Sequence, residues 1–199
     1  MERERASSIE LVLDAAGEEA VRGEWAALEA AGLSSMGAHR SPSNRPHVTL
    51  LAAPGLPVPR LAPTLPIALR LGPPELLPGD GERRVLARPV ERAEELLALR
   101  AAVVAALAAQ EPGATWATWA TDAREAAAAG DGSHPTLDRR DACADHAAAW
   151  LPHVTLAKRL RASELPRALR LLGGPIEAAA VGLRHWDPEL ARTTALAGP

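Results

Sequence analysis

The sequence predicts an α+β protein whose antiparallel sheets and helices fall into two halves. The first observation behind this is a repeat, because the five residues Pro-His-Val-Thr-Leu occur at 46–50 and again at 152–156. The second is the order of the predicted elements, which is strand, helix, motif strand, hairpin, helix, insertion, motif strand, helix and two strands. Strands and helices do not strictly alternate, so a parallel sheet is not required.

The chain opens with a predicted strand and helix. Ser8 to Asp14 is an aliphatic run of strand length. Over 15–31, apolar residues recur at helical spacing, Glu24 lies off the apolar face, and Gly32 ends the helix. The apolar stripe consists of Val21, Trp25, Leu28 and Ala31. The polar loop 34–45 then leads into the first motif strand at 46–52.

Proline-rich residues 53–66 predict an irregular connection, after which strand character resumes at 67–71. A turn at 78–81 precedes a strand at 83–90, which is the expected hairpin partner of the strand at 67–71. Residues 91–110 predict a helix, with a Leu and Val stripe and with Arg100 outside it.

A long insertion, at about 112–149, interrupts the single bilobal domain expected over 1–199. We interpret it as a surface insertion, or alternatively a lid, that carries Trp116 and Trp119. Four potential metal ligands cluster near its end, namely Asp141, Cys143, Asp145 and His146. The single cysteine and the lack of paired histidine spacing argue against a metal site, so neither a metal nor a cofactor is expected.

The chain closes with a predicted helix at 163–172, which Ser163 would cap and Gly173-Gly174 would end. A strand at 178–186 and an edge strand at 193–196 follow.

Composition excludes several classes of function. A net charge of −3 and a pI near 6.1 argue against a long nucleic-acid groove, which needs a basic stripe. Cys143 is the only cysteine, which excludes an internal disulfide and suits the cytoplasm. Neither a signal peptide nor a membrane span is expected, and we expect a monomer.

The repeat has a chemical meaning because side chains alternate faces along a strand. His47 and Thr49 share one face in the first copy, as do His153 and Thr155 in the second. An imidazole moves protons near neutral pH, and a hydroxyl donates to an anionic oxygen. A single copy would more often be a half-exposed polar pair, but the duplication favours a functional site.

The two copies resemble the paired His-x-Thr-x signature of the two-histidine phosphoesterase superfamily, in its 2′-5′ RNA ligase-like and RNA 2′,3′-cyclic phosphodiesterase branch. They lie 106 positions apart, and the resemblance runs from Ile9 to about Trp186, apart from the insertion. It implies two pseudo-twofold lobes with the motif strands lining a central cleft. It also implies that a 2′,3′-cyclic end is converted to a 2′-phosphate.

The resulting hypothesis is a metal-independent phosphodiesterase that hydrolyses 2′,3′-cyclic phosphate RNA ends or small cyclic or 2′-5′-linked nucleotides. One histidine acts as base and the other as acid, in an order that the sequence leaves open, and the threonines hold the non-bridging oxygens. The expected partner is a nucleotide or RNA end that bears a cyclic phosphate. The alternatives are an RNA-end ligase that uses the same site and a non-catalytic nucleotide- or RNA-binding module.

Five further residues are weaker candidates. Arg45, Lys158 and Arg159 flank the motifs and could hold phosphate, or could be solvated surface charges. Trp186 or His185 could stack a base, although core packing is the favoured role for Trp186.

Overall fold

The computed structural model describes residues 6–77, 82–110 and 150–198. Two helices of more than three turns accompany eight strands in this part of the chain. In chain order, the elements are β1 (Ala6–Leu13), α1 (Ala15–Ala30), a 3₁₀ turn (Met36–Ala38), β2 (His47–Pro54), β3 (Ile67–Leu71), β4 (Glu75–Leu76), β5 (Arg83–Pro89), α2 (Glu94–Gln110), β6 (His153–Arg161), a second 3₁₀ turn (Ala162–Glu164), α3 (Leu165–Leu169), β7 (Ile176–Asp187) and β8 (Arg192–Ala197).

The strands form two antiparallel sheets, which confirms the α+β class. The first sheet has the order β2-β1-β7, and the far edge of the long strand β7 pairs with both β3 and β8. The second sheet has the order β4-β5-β6. Each motif strand therefore lies at the edge of its own sheet, and β2 contacts β6.

Both sheets share one hydrophobic core with the two long helices. The cap residue Asp14 precedes helix α1, and its carboxylate accepts from the Gly17 backbone. Gly32, which has a φ of 69°, follows the C-terminal cap Ala31 and stops the helix. Helix α2 buries the predicted leucine and valine stripe. The fully buried members of that stripe are Leu96, Val103 and Leu107.

Two charged residues expected outside the apolar stripes are buried. Glu24 of α1 pairs with Arg88 of β5, whose Nε donates to the Glu24 carboxylate at 2.7 Å. Arg88 also donates to the carbonyls of Gly72 and Gly173, so its buried guanidinium is well satisfied. Removing one partner of such a pair typically costs about 3–5 kcal/mol, so this contact fixes α1 against the second sheet. The second buried charged residue is Arg100 of α2, whose Nε donates to the Leu50 carbonyl at 3.2 Å.

The predicted hairpin between 67–71 and 83–90 is wrong. Strand β3 pairs with β7, and its contact with the second segment is a single bridge from Leu71 to Val90. The hairpin partner of β5 is instead the two-residue strand β4. Ile67, Leu69 and Leu71 are buried in alternation, so β3 packs its apolar face in the larger sheet.

The last predicted helix is shorter than expected. The chain makes the 3₁₀ turn Ala162–Glu164 and then the five-residue helix α3, and Ser163 lies inside the turn rather than capping a helix. Pro166 is tolerated only in the first turn of an α-helix, which explains why α3 starts at Leu165. The predicted turn at 78–81 and the insertion at 112–149, with Trp116, Trp119 and the ligand-like cluster, lie outside the described residues. Among the described residues, no helix is long and apolar enough to cross a membrane.

Candidate active site

The two motif strands show the predicted alternation of faces. In β2, His47 and Thr49 are half-buried while Val48 and Leu50 are fully buried in the core. Strand β6 has the same pattern, with His153 and Thr155 half-buried and Val154 and Leu156 in the core. β-Branched and aliphatic residues at alternate positions anchor each strand, so the imidazole and hydroxyl lie on the opposite face.

Both imidazoles are oriented in the same way by the backbone. Nδ1 of His47 lies 2.7 Å from the Arg45 carbonyl, and Nδ1 of His153 lies 2.7 Å from the Leu151 carbonyl. A carbonyl oxygen only accepts hydrogen bonds, so Nδ1 is the donor in both rings. This assigns the tautomer of the neutral rings and makes Nε2 the nitrogen of each ring that can gain or lose a proton.

Two tryptophans tie each motif strand to the other half of the protein. Trp25 of α1 donates its indole N–H to the Thr155 carbonyl at 3.1 Å. Trp150, just before β6, donates to the Thr49 carbonyl at 3.2 Å. Edge strands carry backbone carbonyls without a ladder partner, and the indoles satisfy two of these. The contacts therefore fix the two motif threonines relative to each other.

The two histidines are close enough to interact electrostatically. Burial lowers the pKa of His153, the hydrogen bond with the Leu151 carbonyl opposes this effect, and the charge of His47 lowers the pKa further. The net direction is downward, so His153 is neutral at neutral pH.

A buried carboxylate distinguishes the His47 half from the His153 half. Glu10 of β1 is the cross-strand neighbour of Thr49, and its Oε1 lies 3.6 Å from Nε2 of His47. The corresponding neighbour of Thr155 on β5 is Ala87. The two halves therefore share the motif but differ in the charge beside it.

Glu10 is held by two further groups on the same sheet. Ser8 donates its hydroxyl to Glu10 at 2.6 Å, and Arg184 of β7 donates through Nε at 2.8 Å. Burial alone would raise the pKa of Glu10, but the charges of His47 and Arg184 and the hydrogen bonds that it accepts hold the pKa below its usual value. Glu10 is therefore ionised at neutral pH.

Sequence reasoning missed Glu10 and Arg184. The available signal was the alternation of Ser8 and Glu10 with Ile9 and Leu11 in an otherwise aliphatic strand. Such a pattern places two polar groups on one face of β1, where their pairing with β2 brings them to the site.

The three phosphate-binding candidates occupy different environments. Arg45 is half-buried beside the site, where its carbonyl accepts from His47 and its Nε donates to Glu18 at 3.0 Å. Lys158 and Arg159 are exposed on β6. At about 3.3 Å per residue, Lys158 lies about 10 Å along the strand from Thr155, so the fold does not bring it to the histidines.

The two base-stacking candidates lie on opposite faces of the first sheet. Trp186 is half-buried and pairs with Ser8, which places it on the face that carries Glu10 and Thr49. His185 is buried on the other face, with Nε2 at 2.9 Å from the Leu56 carbonyl. The proposal that His185 stacks a base is therefore corrected, because its ring cannot reach a bound base. Within the described ranges, no group of three or more His, Cys, Asp or Glu side chains could hold a metal ion.

Comparisons with known proteins support the fold. No model of a protein family matches the chain, and no curated protein matches it. Among solved structures, the chain is similar to the crystal structure of TT0787 of Thermus thermophilus, with a TM-score of 0.51 and 18% sequence identity. The match covers 96% of this chain and 94% of that one. At this identity the similarity shows a shared fold over nearly the whole chain.

Proposed function

We propose that the protein is a metal-independent phosphodiesterase of the two-histidine type. Its substrates would be 2′,3′-cyclic phosphate ends of RNA, or small cyclic or 2′-5′-linked nucleotides. The observation that carries this proposal is the pair of motif histidines, each oriented by a carbonyl through Nδ1 and close enough for the charge of one to lower the pKa of the other. Hydrolysis of a phosphodiester needs a base and an acid on opposite sides of the phosphorus, and the pair supplies both.

We infer the roles of the two histidines from the asymmetry of the two halves. His153 has a lowered pKa, which supports its neutral Nε2 as the base that takes a proton from the attacking water. His47, whose Nε2 lies 3.6 Å from the Glu10 carboxylate, then takes the role of the acid. The water oxygen bonds to phosphorus as the P–O3′ bond breaks, and His47 protonates the departing 3′-oxygen. The product is a 2′-phosphate, and proton exchange with solvent restores both rings.

Thr49 and Thr155 act in the same hydrolytic step, and they lie on the same faces of the motif strands as the histidines. Each side chain is half-buried, and each lies two residues after its histidine on a strand. Their hydroxyls donate to the two non-bridging oxygens, where negative charge changes as the reaction proceeds. The indole contacts to both threonine carbonyls limit the movement of these donors.

The alternatives use the same residues in different ways. An RNA-end ligase would use the same proton transfers with a 5′-hydroxyl as the nucleophile in place of water, so that the 5′-oxygen bonds to phosphorus as the P–O3′ bond breaks and a 2′-5′ linkage forms. A non-catalytic module would bind the nucleotide without turnover. A neutral histidine on one side, and a carboxylate beside the histidine on the other, support catalysis over simple binding.

The deciding experiment uses the purified full chain with adenosine 2′,3′-cyclic phosphate, with and without EDTA. We expect conversion to the 2′-phosphate at the same rate in both samples. A parallel reaction with a cyclic-phosphate RNA and a 5′-hydroxyl RNA measures ligation. Ligation without hydrolysis would favour the ligase, whereas binding without either reaction would favour the binding module. A rate lost in EDTA and restored by one metal would contradict the metal-independent mechanism.

A further inference from the structure

A cavity of about 470 Å³ lies beside the His47 half of the site. It is formed by the 41–45 loop and strands β1, β7 and β8. Its polar lining consists of three arginines and three hydroxyl residues, namely Arg45, Arg184, Arg192, Ser41, Ser43 and Thr193. None of the described residues that line it carries a carboxylate. This composition is unusual for a chain with a net charge of −3 and points to an anionic ligand.

The cavity is continuous with the proposed catalytic face. Val12 lines it and is the cross-strand neighbour of His47. Neighbouring strands lie about 4.8 Å apart, so β1, β7 and β8, which line the cavity, lie about 5, 10 and 14 Å from the backbone of β2. A substrate whose cyclic phosphate lies between the histidines would place an adjoining part of the same molecule here.

Two of the arginines are held in place by carboxylates behind them. Arg184 contacts Glu10, and Arg45 contacts Glu18, in both cases through Nε and Nη2. A guanidinium has five N–H donors, and the two carboxylates contact neither arginine through its Nη1 group. Pre-oriented guanidinium groups of this kind suit phosphate oxygens.

Arg192 differs from the other two arginines of the cavity. It is exposed at the start of β8 and has no ion-pair partner among the residues that the structure describes. Its cross-strand neighbour Asp187 accepts instead from the backbone N–H groups of Glu189 and Leu190. Arg192 can therefore be replaced without breaking an ion pair of the kind that holds Arg184 and Arg45.

We propose that this cavity binds a second phosphate group of the substrate, on the 5′ side of the nucleotide that carries the cyclic phosphate. This inference rests on the proposed function and makes it more specific. The preferred substrate is then an RNA 3′ end or a nucleoside with a 5′-phosphate and a 2′,3′-cyclic phosphate. A cyclic mononucleotide with a free 5′-hydroxyl would be a poorer substrate.

The test compares two substrates that differ by one group, adenosine 2′,3′-cyclic phosphate with a 5′-hydroxyl and the same compound with a 5′-phosphate. We expect kcat/KM to be roughly tenfold or more higher for the 5′-phosphate, through KM, as is typical of a charge-assisted contact. Arg192→Gln should reduce this preference. Arg70→Gln is the matched control, because Arg70 is an exposed strand arginine on β3 and should leave the ratio unchanged.

A binding measurement separates this inference from the proposed function. Adenosine 5′-monophosphate is titrated into the wild-type protein, Arg192→Gln and Arg70→Gln. If Arg192→Gln binds more weakly than the wild type and Arg70→Gln does not, the phosphate site is supported. This holds even if neither cyclic substrate is hydrolysed, because the absence of hydrolysis would refute only the proposed function. Hydrolysis of both substrates with equal kcat/KM, together with unchanged binding by Arg192→Gln, would overturn the second phosphate site and leave the proposed function standing.

Discussion

The carboxylate of Glu10 lies 3.6 Å from Nε2 of His47, and the position that corresponds to it beside Thr155 is occupied by Ala87. This difference separates two otherwise matching half-sites. It gives the histidines different surroundings, which acid–base catalysis by a pair of identical groups requires.

Replacing Glu10→Gln should lower kcat. The amide keeps the shape of the side chain but removes the negative charge that lies 3.6 Å from Nε2 of His47 in the site. The melting temperature should also fall, because Arg184 would keep a buried charge without its counter-ion. Ser8→Ala is the matched control, since it removes a hydrogen bond to Glu10 and retains the charge. A lower melting temperature with unchanged kcat would show that the carboxylate is structural.

His47→Ala and His153→Ala should each reduce turnover of a 2′,3′-cyclic nucleotide by about 10²- to 10⁴-fold, the usual loss for a positioned proton-transfer group. Both rings are half-buried on a strand face outside the core, so circular dichroism should report an intact fold. His39→Ala provides the control, because His39 is exposed in the loop before β2. Near wild-type activity in either motif variant would exclude the two-histidine mechanism.

Activity should rise and fall with pH, and its acidic limb should lie below pH 6.5. His153 acts as base only when it is neutral, and burial lowers the pKa at which it gains a proton. Activity is therefore lost as the pH falls through this lowered pKa. The alkaline limb would report loss of the proton from the catalytic acid, and both apparent values would belong to the coupled pair. A rate that climbs steadily to high pH would instead indicate hydroxide or a metal-bound water as nucleophile.

Thr49→Val and Thr155→Val should lower kcat while the shape of the pH profile stays the same. Valine keeps the β-branched form that suits the strand and removes the hydroxyl donor. The indole contacts reach backbone carbonyls of these residues, so they survive the substitution. Lost transition-state donors reduce kcat rather than only raising KM. Wild-type rates in the valine variants would show that the threonines are structural.

The sequence was most informative where structure depends on local pattern. The period of two in the motif strands placed His47, Thr49, His153 and Thr155 on the correct faces, because burial of alternate aliphatic residues decides which face turns outward. Helix α1 was equally predictable from its apolar spacing and its end at Gly32.

The features that escaped prediction depend on contacts between distant segments. Glu10 and Arg184 are 174 positions apart and meet only because β1 pairs with β7 in a particular register. That register also decides that Trp186, and not His185, faces the site, since a shift of one residue would exchange them. Strand β3 was assigned to the wrong sheet for the same reason, because its partner β7 lies about a hundred residues further along the chain.

The two indole hydrogen bonds bear on whether either half could keep its motif strand in place alone. Trp25 lies 22 positions before His47 and donates to the motif strand of the second half, whereas Trp150 lies three positions before His153 and donates to that of the first. A half expressed by itself would hold its motif strand at an open sheet edge and would lose the indole donor that the other half supplies.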